Sequence, residues 1–146
     1  MAAHEPVRDA EPLDLDYAFT LTLRFGPPRL MKTPRGGRAF APVAGGEIEG
    51  PRLTATVVPE TGADFGFLRR DGVEDLHARF MLKAADGTDI YIQLTGYVRE
   101  ADGYIRVTPF FDAPADSAHA WLNNTLLVAR GAPADEGLTL TCYAVT

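Results

Sequence analysis

The chain has 146 residues, 46% of them hydrophobic and 23% charged, with a formal net charge of −6. A chain of that length makes one globular domain that buries about two-thirds of its unfolded surface without disulfide or metal staples. An acidic chain with singly scattered arginines is a poor partner for nucleic acid or anionic membrane, which both need clustered Lys and Arg, and one cysteine, Cys142, excludes an intrachain disulfide and a Cys-based zinc site.

Residues 1–14 are polar, with two prolines and four acidic side chains, and read as a disordered lead-in to a single domain over 15–146. They contain no apolar core of the signal-peptide type, and no run in the chain approaches the roughly 20 apolar residues of a membrane helix, so the expected location is the cytoplasm. Leu15–Phe25 alternates, with Tyr17, Phe19, Leu21, Leu23 and Phe25 on one face, which predicts a strand. Gly26-Pro27-Pro28 ends it, because proline cannot continue a ladder. Residues 29–38 read as a basic, Gly-rich loop carrying Lys32, Arg35 and Arg38. Further strands are predicted at about 39–48, 52–58, 65–69, 74–84, 88–99, 103–111, 121–130 and 137–145. Asp71-Gly72, Asp86-Gly87 and Asp102-Gly103 separate successive runs, and Asp-Gly is a strong hairpin signal because both turn positions tolerate positive φ. Helix is expected only as one turn near 115–122, and Cys142 reads as a small buried hydrophobe in the last strand. Short strands at this spacing predict an all-β antiparallel meander, closed into a barrel of about eight strands so that no edge is left exposed.

The later strands each have an aliphatic and a mixed face. Strand 74–84 sets Leu76, Ala78, Phe80 and Leu82 against Asp75, His77, Arg79 and Met81. Strand 88–99 sets Ile90, Ile92 and Leu94 against Tyr91, Gln93, Thr95 and Tyr97. Strand 103–111 sets Ile105, Val107 and Phe111 against Tyr104, Arg106, Thr108 and Phe110, and strand 121–130 sets Leu122, Leu126 and Val128 against Trp121, Asn123 and Thr125. Either face can be the inner one. The collection of large rings on the mixed face favours turning it inward around a ligand cavity, since pockets combine apolar walls with a few placed polar groups. The aliphatic face would then need a cover, which predicts a homodimer.

Five segments, TPRGGRAFAPVAGGEIEGPRL at 33–53, GADFGFLRRDGVEDLHARF at 62–80, DGTDIYIQLTGY at 86–97, RVTPFFDAP at 106–114 and AWLNNTLLVARG at 120–131, resemble in order and spacing the domain-of-unknown-function family 3237, also called uncharacterised protein family 0311. The resemblance implies a small closed barrel similar to allene oxide cyclase-like barrels, and it implies no single reaction. His77 stands where the family usually has Asp, Phe65 where it has Trp, and Gln93 where it often has a basic side chain.

His77 and Arg79, two apart on one strand, share a face. A histidine there can serve as acid or base near neutral pH, and Arg79 can hold an anionic or enolate oxygen through a charge-assisted fork. Asp64, in Gly62-Ala63-Asp64-Phe65, is expected to orient His77 or act as a second acid–base group. Phe65, Arg69, Tyr91, Gln93, Arg106, Trp121 and Asn123 are the expected ligand-binding residues. Each of these positions also has a structural reading, as surface strand residue, ion pair or turn cap. Three dispersed histidines do not make a metal set, and with Ser117 the only serine no hydrolase elbow exists. Gly36-Gly37 and Gly45-Gly46 are not followed by a helix, so no phosphate loop is present. No metal or cofactor is expected. The leading expectation is a cofactor-independent enzyme that performs acid–base assisted cyclisation, isomerisation or lyase/hydratase chemistry on a small organic molecule in the barrel. The alternatives are a non-catalytic carrier or sensor of a small hydrophobic ligand, and a structural subunit with a filled barrel.

Overall fold

The computed structural model describes Ala3, Glu5 and residues 10–146. Half of the tail expected to be disordered at 1–14 therefore lies outside the described residues. At its end, Asp14 exchanges backbone hydrogen bonds of 3.1 and 2.9 Å with Thr146, just before the first strand begins.

The strands are β1 (Leu15–Phe25), β2 (Arg29–Thr33), β3 (Gly36–Glu49), β4 (Ala55–Val57), β5 (Ala63–Asp64), β6 (Phe67–Leu68), β7 (Val73–Ala84), β8 (Asp89–Arg99), β9 (Tyr104–Asp112), β10 (Leu127–Ala134) and β11 (Gly137–Val145). They form one antiparallel circuit. β7, β8, β9, β10 and β11 follow one another as a meander, β11 pairs with β1, and β1 pairs with β3. Between β3 and β7 the short strands β4, β5 and β6 take turns along one position, each pairing with both neighbours. The result is a closed barrel of eight positions. Among the described residues, closure satisfies the edges of the eight barrel positions from within and leaves only the short β2 with an unpaired edge. The three Asp-Gly pairs make the turns expected of them, with Gly72, Gly87 and Gly103 at φ of 86°, 89° and 68°. No helix among the described residues is long and apolar enough to cross a membrane.

The interior is aliphatic. Leu21, Leu23, Ile48, Ala78, Phe80, Leu82, Ile90, Ile92, Leu94, Val107 and Leu140 are all buried, and Phe19 meets Phe111 edge-to-face at 5.9 Å. Cys142 is buried among them, and burial pushes its thiol up to about 12. The expectation that the mixed face turns inward is thus corrected: His77, Arg79, Tyr97 and Phe110 are exposed on the outer wall. A barrel this small is filled by its inward side chains, and the aliphatic set is the one that loses nothing by being dry. That face is covered by the barrel itself and needs no second subunit to bury it.

Three local expectations change as well. Residues 29–33 form β2, which pairs with one edge of β3 beyond the Gly26-Pro27-Pro28 break and so prolongs the line of β1 past the barrel rim. A bulge between Tyr17 and Phe19 shifts the phase of β1, leaving Tyr17 out at 44% exposure while Phe19, Leu21 and Leu23 stay in. The run predicted at 121–130 is a 3₁₀ turn (Ala120–Asn123) followed by β10, so Leu127 and Ala129 face inward and Leu126 is exposed.

Candidate functional site

At one end of the barrel the aliphatic filling stops short of the rim. The space left is a mouth of about 980 Å³. Its walls are mainly apolar: Phe25 and Pro28 where β1 leaves the barrel, Val98 and Ile105 on the β8–β9 hairpin, Leu138 on β11, and Leu76 at the floor. Two carboxylates enter it. Asp64 is on β5, the two-residue strand wedged between β3 and β7, and alternation sends its side chain inward while Phe65 points out. Only 6% of Asp64 is exposed. Glu74 has the same parity as Leu76, Ala78 and Phe80 on β7 and is half-buried at the rim.

Gly66 brings the two together. A Cβ built on Gly66 would stand 3.0 Å from Asp64 Oδ2 and 3.4 Å from Glu74 Oε1. The absence of a side chain there leaves both oxygens facing the same space. Asp64 Oδ1 accepts a 2.9 Å hydrogen bond from the backbone N–H of His77, which fixes the carboxylate against the wall.

Burial raises the pKa of Asp64, offset in part by the His77 N–H bond and the charge of His77. Glu74 is raised by burial first and then by the negative charges of Asp64 and Glu100. Both groups therefore hold a proton more firmly in the folded protein than in the unfolded chain. Stability from this source is fully present below the ordinary carboxylate range near pH 4 and is lost as pH rises through the raised folded values. At neutral pH the pair is a net cost to folding. Glu74→Gln removes that cost, and we expect its Tm at pH 7 to lie above that of the wild type. The gap should close below about pH 4, where Glu74 becomes protonated in both states. Thermal melts at the two pH values check this, and an unchanged or lower Tm at pH 7 would contradict it.

A second cavity, of about 1070 Å³, lies on the outer wall of β7–β11. His77, Phe65, Arg69 and Arg106 line it. The expected site is therefore divided by the barrel wall, with Asp64 on the inner side and His77 on the outer. Asp64 holds the backbone N–H of His77 and does not orient its imidazole. The remaining expected residues join neither cavity. Arg79 is exposed opposite Gln93, whose Oε1 accepts a 3.0 Å bond from the Tyr91 hydroxyl. Trp121 packs against the core under the Arg52 guanidinium, 3.7 Å from the ring. Asn123 spends its amide on the backbone N–H and C=O of Ala113, at 2.8 and 2.9 Å, and so anchors the 3₁₀ turn to the end of β9. Glu74 is the residue that sequence reasoning missed, although extending the inward parity of strand 74–84 back from Leu76 by one step reaches it.

The sequence matches the family described as "Protein of unknown function (DUF3237)" over residues 13–145. The chain belongs to this family. A UPF0311 protein of Bradyrhizobium diazoefficiens is 38% identical over 85 residues, 58% of this chain and 55% of that protein, so the match spans about half the length of that relative. The crystal structure of a conserved protein of unknown function from Rhodopseudomonas palustris superposes with a TM-score of 0.86 at 24% identity, covering 94% of this chain and all of the other. The crystal structure of an enzyme from Penicillium herquei superposes with a TM-score of 0.75 at 22% identity, covering 99% of this chain and all of the other. These likenesses establish the DUF3237 barrel as the fold.

Proposed function

We propose that the protein is a cofactor-independent enzyme that moves a proton on a small, neutral, largely apolar organic molecule held in the barrel mouth. The step is a cyclisation, isomerisation or lyase/hydratase reaction. One observation carries the reading: Asp64 and Glu74 converge under Gly66 in an apolar mouth, and both have raised pKa values. Neighbouring carboxyls resist ionising together, so the charge of one makes the other hold its proton more firmly. Burial opposes the charged form of Asp64 and the His77 N–H bond favours it; we assign Asp64 as the base because it is the member of the pair whose charged form a backbone hydrogen bond holds. Glu74, raised further by the charge of Asp64, is the acid. Asp64 takes a proton from a carbon between a carbonyl and a carbon–carbon double bond while Glu74 delivers its proton to the carbonyl oxygen, giving a dienol. Asp64 then returns its proton to the far carbon of the diene as Glu74 takes back the hydroxyl proton, so the double bond moves into conjugation and both carboxyls end as they began.

The charges around the mouth select against an anion, and its apolar walls favour a neutral ligand over a hydrated cation. Glu100 and Glu136 also line it, while Arg99, the basic residue of the lining, is bound to Asp102 at 2.9 Å and lies 3.9 Å from the Tyr104 ring centroid. The Penicillium herquei protein of the same fold is described as an enzyme, so a barrel of this kind can carry catalysis. A direct test uses 2-tetralone, a neutral bicyclic ketone with acidic C–H groups, incubated in D₂O with the protein. Exchange faster than the buffer background supports the reading. Saturable binding without faster exchange would assign the mouth to a carrier or sensor instead.

A further inference from the structure

We propose that the outer-wall cavity is a second binding site, for an organic anion with a flat, apolar body such as an aromatic carboxylate. Its charge is opposite to that of the mouth. Arg35, Arg38, Arg69, Arg106 and Arg130, with His77, line it against one carboxylate, Asp75. In a chain of net charge −6 with 14 basic residues in all, that concentration is not the background of the surface. The five arginines come from separate places: the β2–β3 turn, β3, the segment after β6, β9 and β10. The fold brings them to one basin.

Most of this charge is not spent inside the protein. Arg69 is bound by Asp71 and Asp75, at 2.5 and 3.6 Å. Among the described residues no carboxylate lies within ion-pair distance of Arg35, Arg38, Arg106 or Arg130. Arg38 donates to the Phe65 carbonyl at 3.1 Å and Arg106 to the Ile105 carbonyl at 2.9 Å. Those bonds set the direction of the guanidiniums and leave their charge uncompensated. Like charges gathered in one concavity repel, and a bound anion relieves the repulsion through forked, charge-assisted hydrogen bonds.

The rest of the lining fits a ring. Phe65 and Tyr97 leave about half their surface in water, at 48% and 53% exposure, and Phe67 and Tyr143 complete an aromatic wall. Arg38 already sits 4.9 Å over the Phe67 ring. A flat apolar body can stack on these rings while its carboxylate reaches the arginines.

Calorimetric titration with 2-naphthoate and with the isosteric neutral 2-naphthamide tests the proposal. We expect 2-naphthoate to bind, 2-naphthamide to bind about tenfold more weakly or not at all, and Arg106→Gln and Arg130→Gln each to weaken 2-naphthoate by about tenfold. Glu74→Gln, across the wall, should leave that affinity unchanged. Arg130 is exposed, so its variant keeps the test valid if Arg106→Gln perturbs folding. No binding of 2-naphthoate, equal binding of the amide, indifference to both arginine substitutions, or loss of binding in Glu74→Gln would each overturn the site.

Discussion

Phe80→Ala is expected to destabilise the protein by about 3–5 kcal/mol, a large fraction of the roughly 5–15 kcal/mol that holds a domain of this size folded. Phe80 lies midway along β7, is 1% exposed, and belongs to the apolar filling of the barrel. Removing its ring leaves a hole that the closed circuit of strands cannot collapse to fill, because each strand is pinned on both edges. Phe110→Ala is the control. Phe110 alternates to the outer wall of β9 and is 54% exposed, and its loss should cost within about 0.5 kcal/mol. Urea unfolding of the two variants reads the difference directly. Equal costs, or a larger cost at Phe110, would mean that the inner and outer faces are exchanged.

Asp64→Asn is expected to slow proton exchange on 2-tetralone by about 10²- to 10⁴-fold, the usual worth of a positioned acid or base. The amide keeps the shape of the carboxylate, and its oxygen can still accept the His77 N–H bond seen at 2.9 Å. The substitution therefore removes the base and spares the wall. Glu74→Gln should also slow exchange, and it should change the pH profile in a particular way. With the base still present and the acid gone, the fall in rate at high pH, where Glu74 would lose its proton, should disappear. Binding of 2-tetralone should survive both changes, because the apolar walls of the mouth are untouched. Wild-type exchange rates in both variants would remove the carboxylates from the chemistry.

Much of the barrel is written in local pattern. The alternation over 74–84 and 88–99 places Leu76, Phe80, Ile90 and Leu94 on one face, and β7 and β8 carry that face inward. The Asp-Gly turns follow from the same kind of short-range chemistry. What alternation cannot state is which face is concave. Here the outer wall carries Phe65, Tyr97 and Phe110, rings that would ordinarily mark an interior. β2 escaped notice because it pairs with one edge of β3 and buries no face, so its residues carry no hydrophobic period. The 3₁₀ turn at Ala120–Asn123 breaks the parity of the next strand, so Leu122 and Leu126, expected on one face, part company: Leu122 is buried and Leu126 exposed.

The site was legible only in part. Asp64 stood out from its Gly-Ala-Asp setting. Its actual partner, Glu74, is ten residues away and meets it only because β5 and β6 lie beside β7 and Gly66 leaves the gap between them. His77 is a near neighbour of Asp64 through the backbone and faces a different cavity. A one-residue step along a strand crosses the barrel wall, so closeness in sequence said little about sharing a site.

The most direct test of the carboxylate pair is a pH titration of the ¹³C signals of the Asp64 and Glu74 carboxyl groups by NMR. Both midpoints should lie above the ordinary values of about 3.9 and 4.3, and the Glu74 midpoint should fall when Asp64 is replaced by asparagine, since the charge of Asp64 is one of its causes. Midpoints at or below the ordinary values, with Glu74 unmoved by that substitution, would contradict a coupled acid–base pair in the barrel mouth.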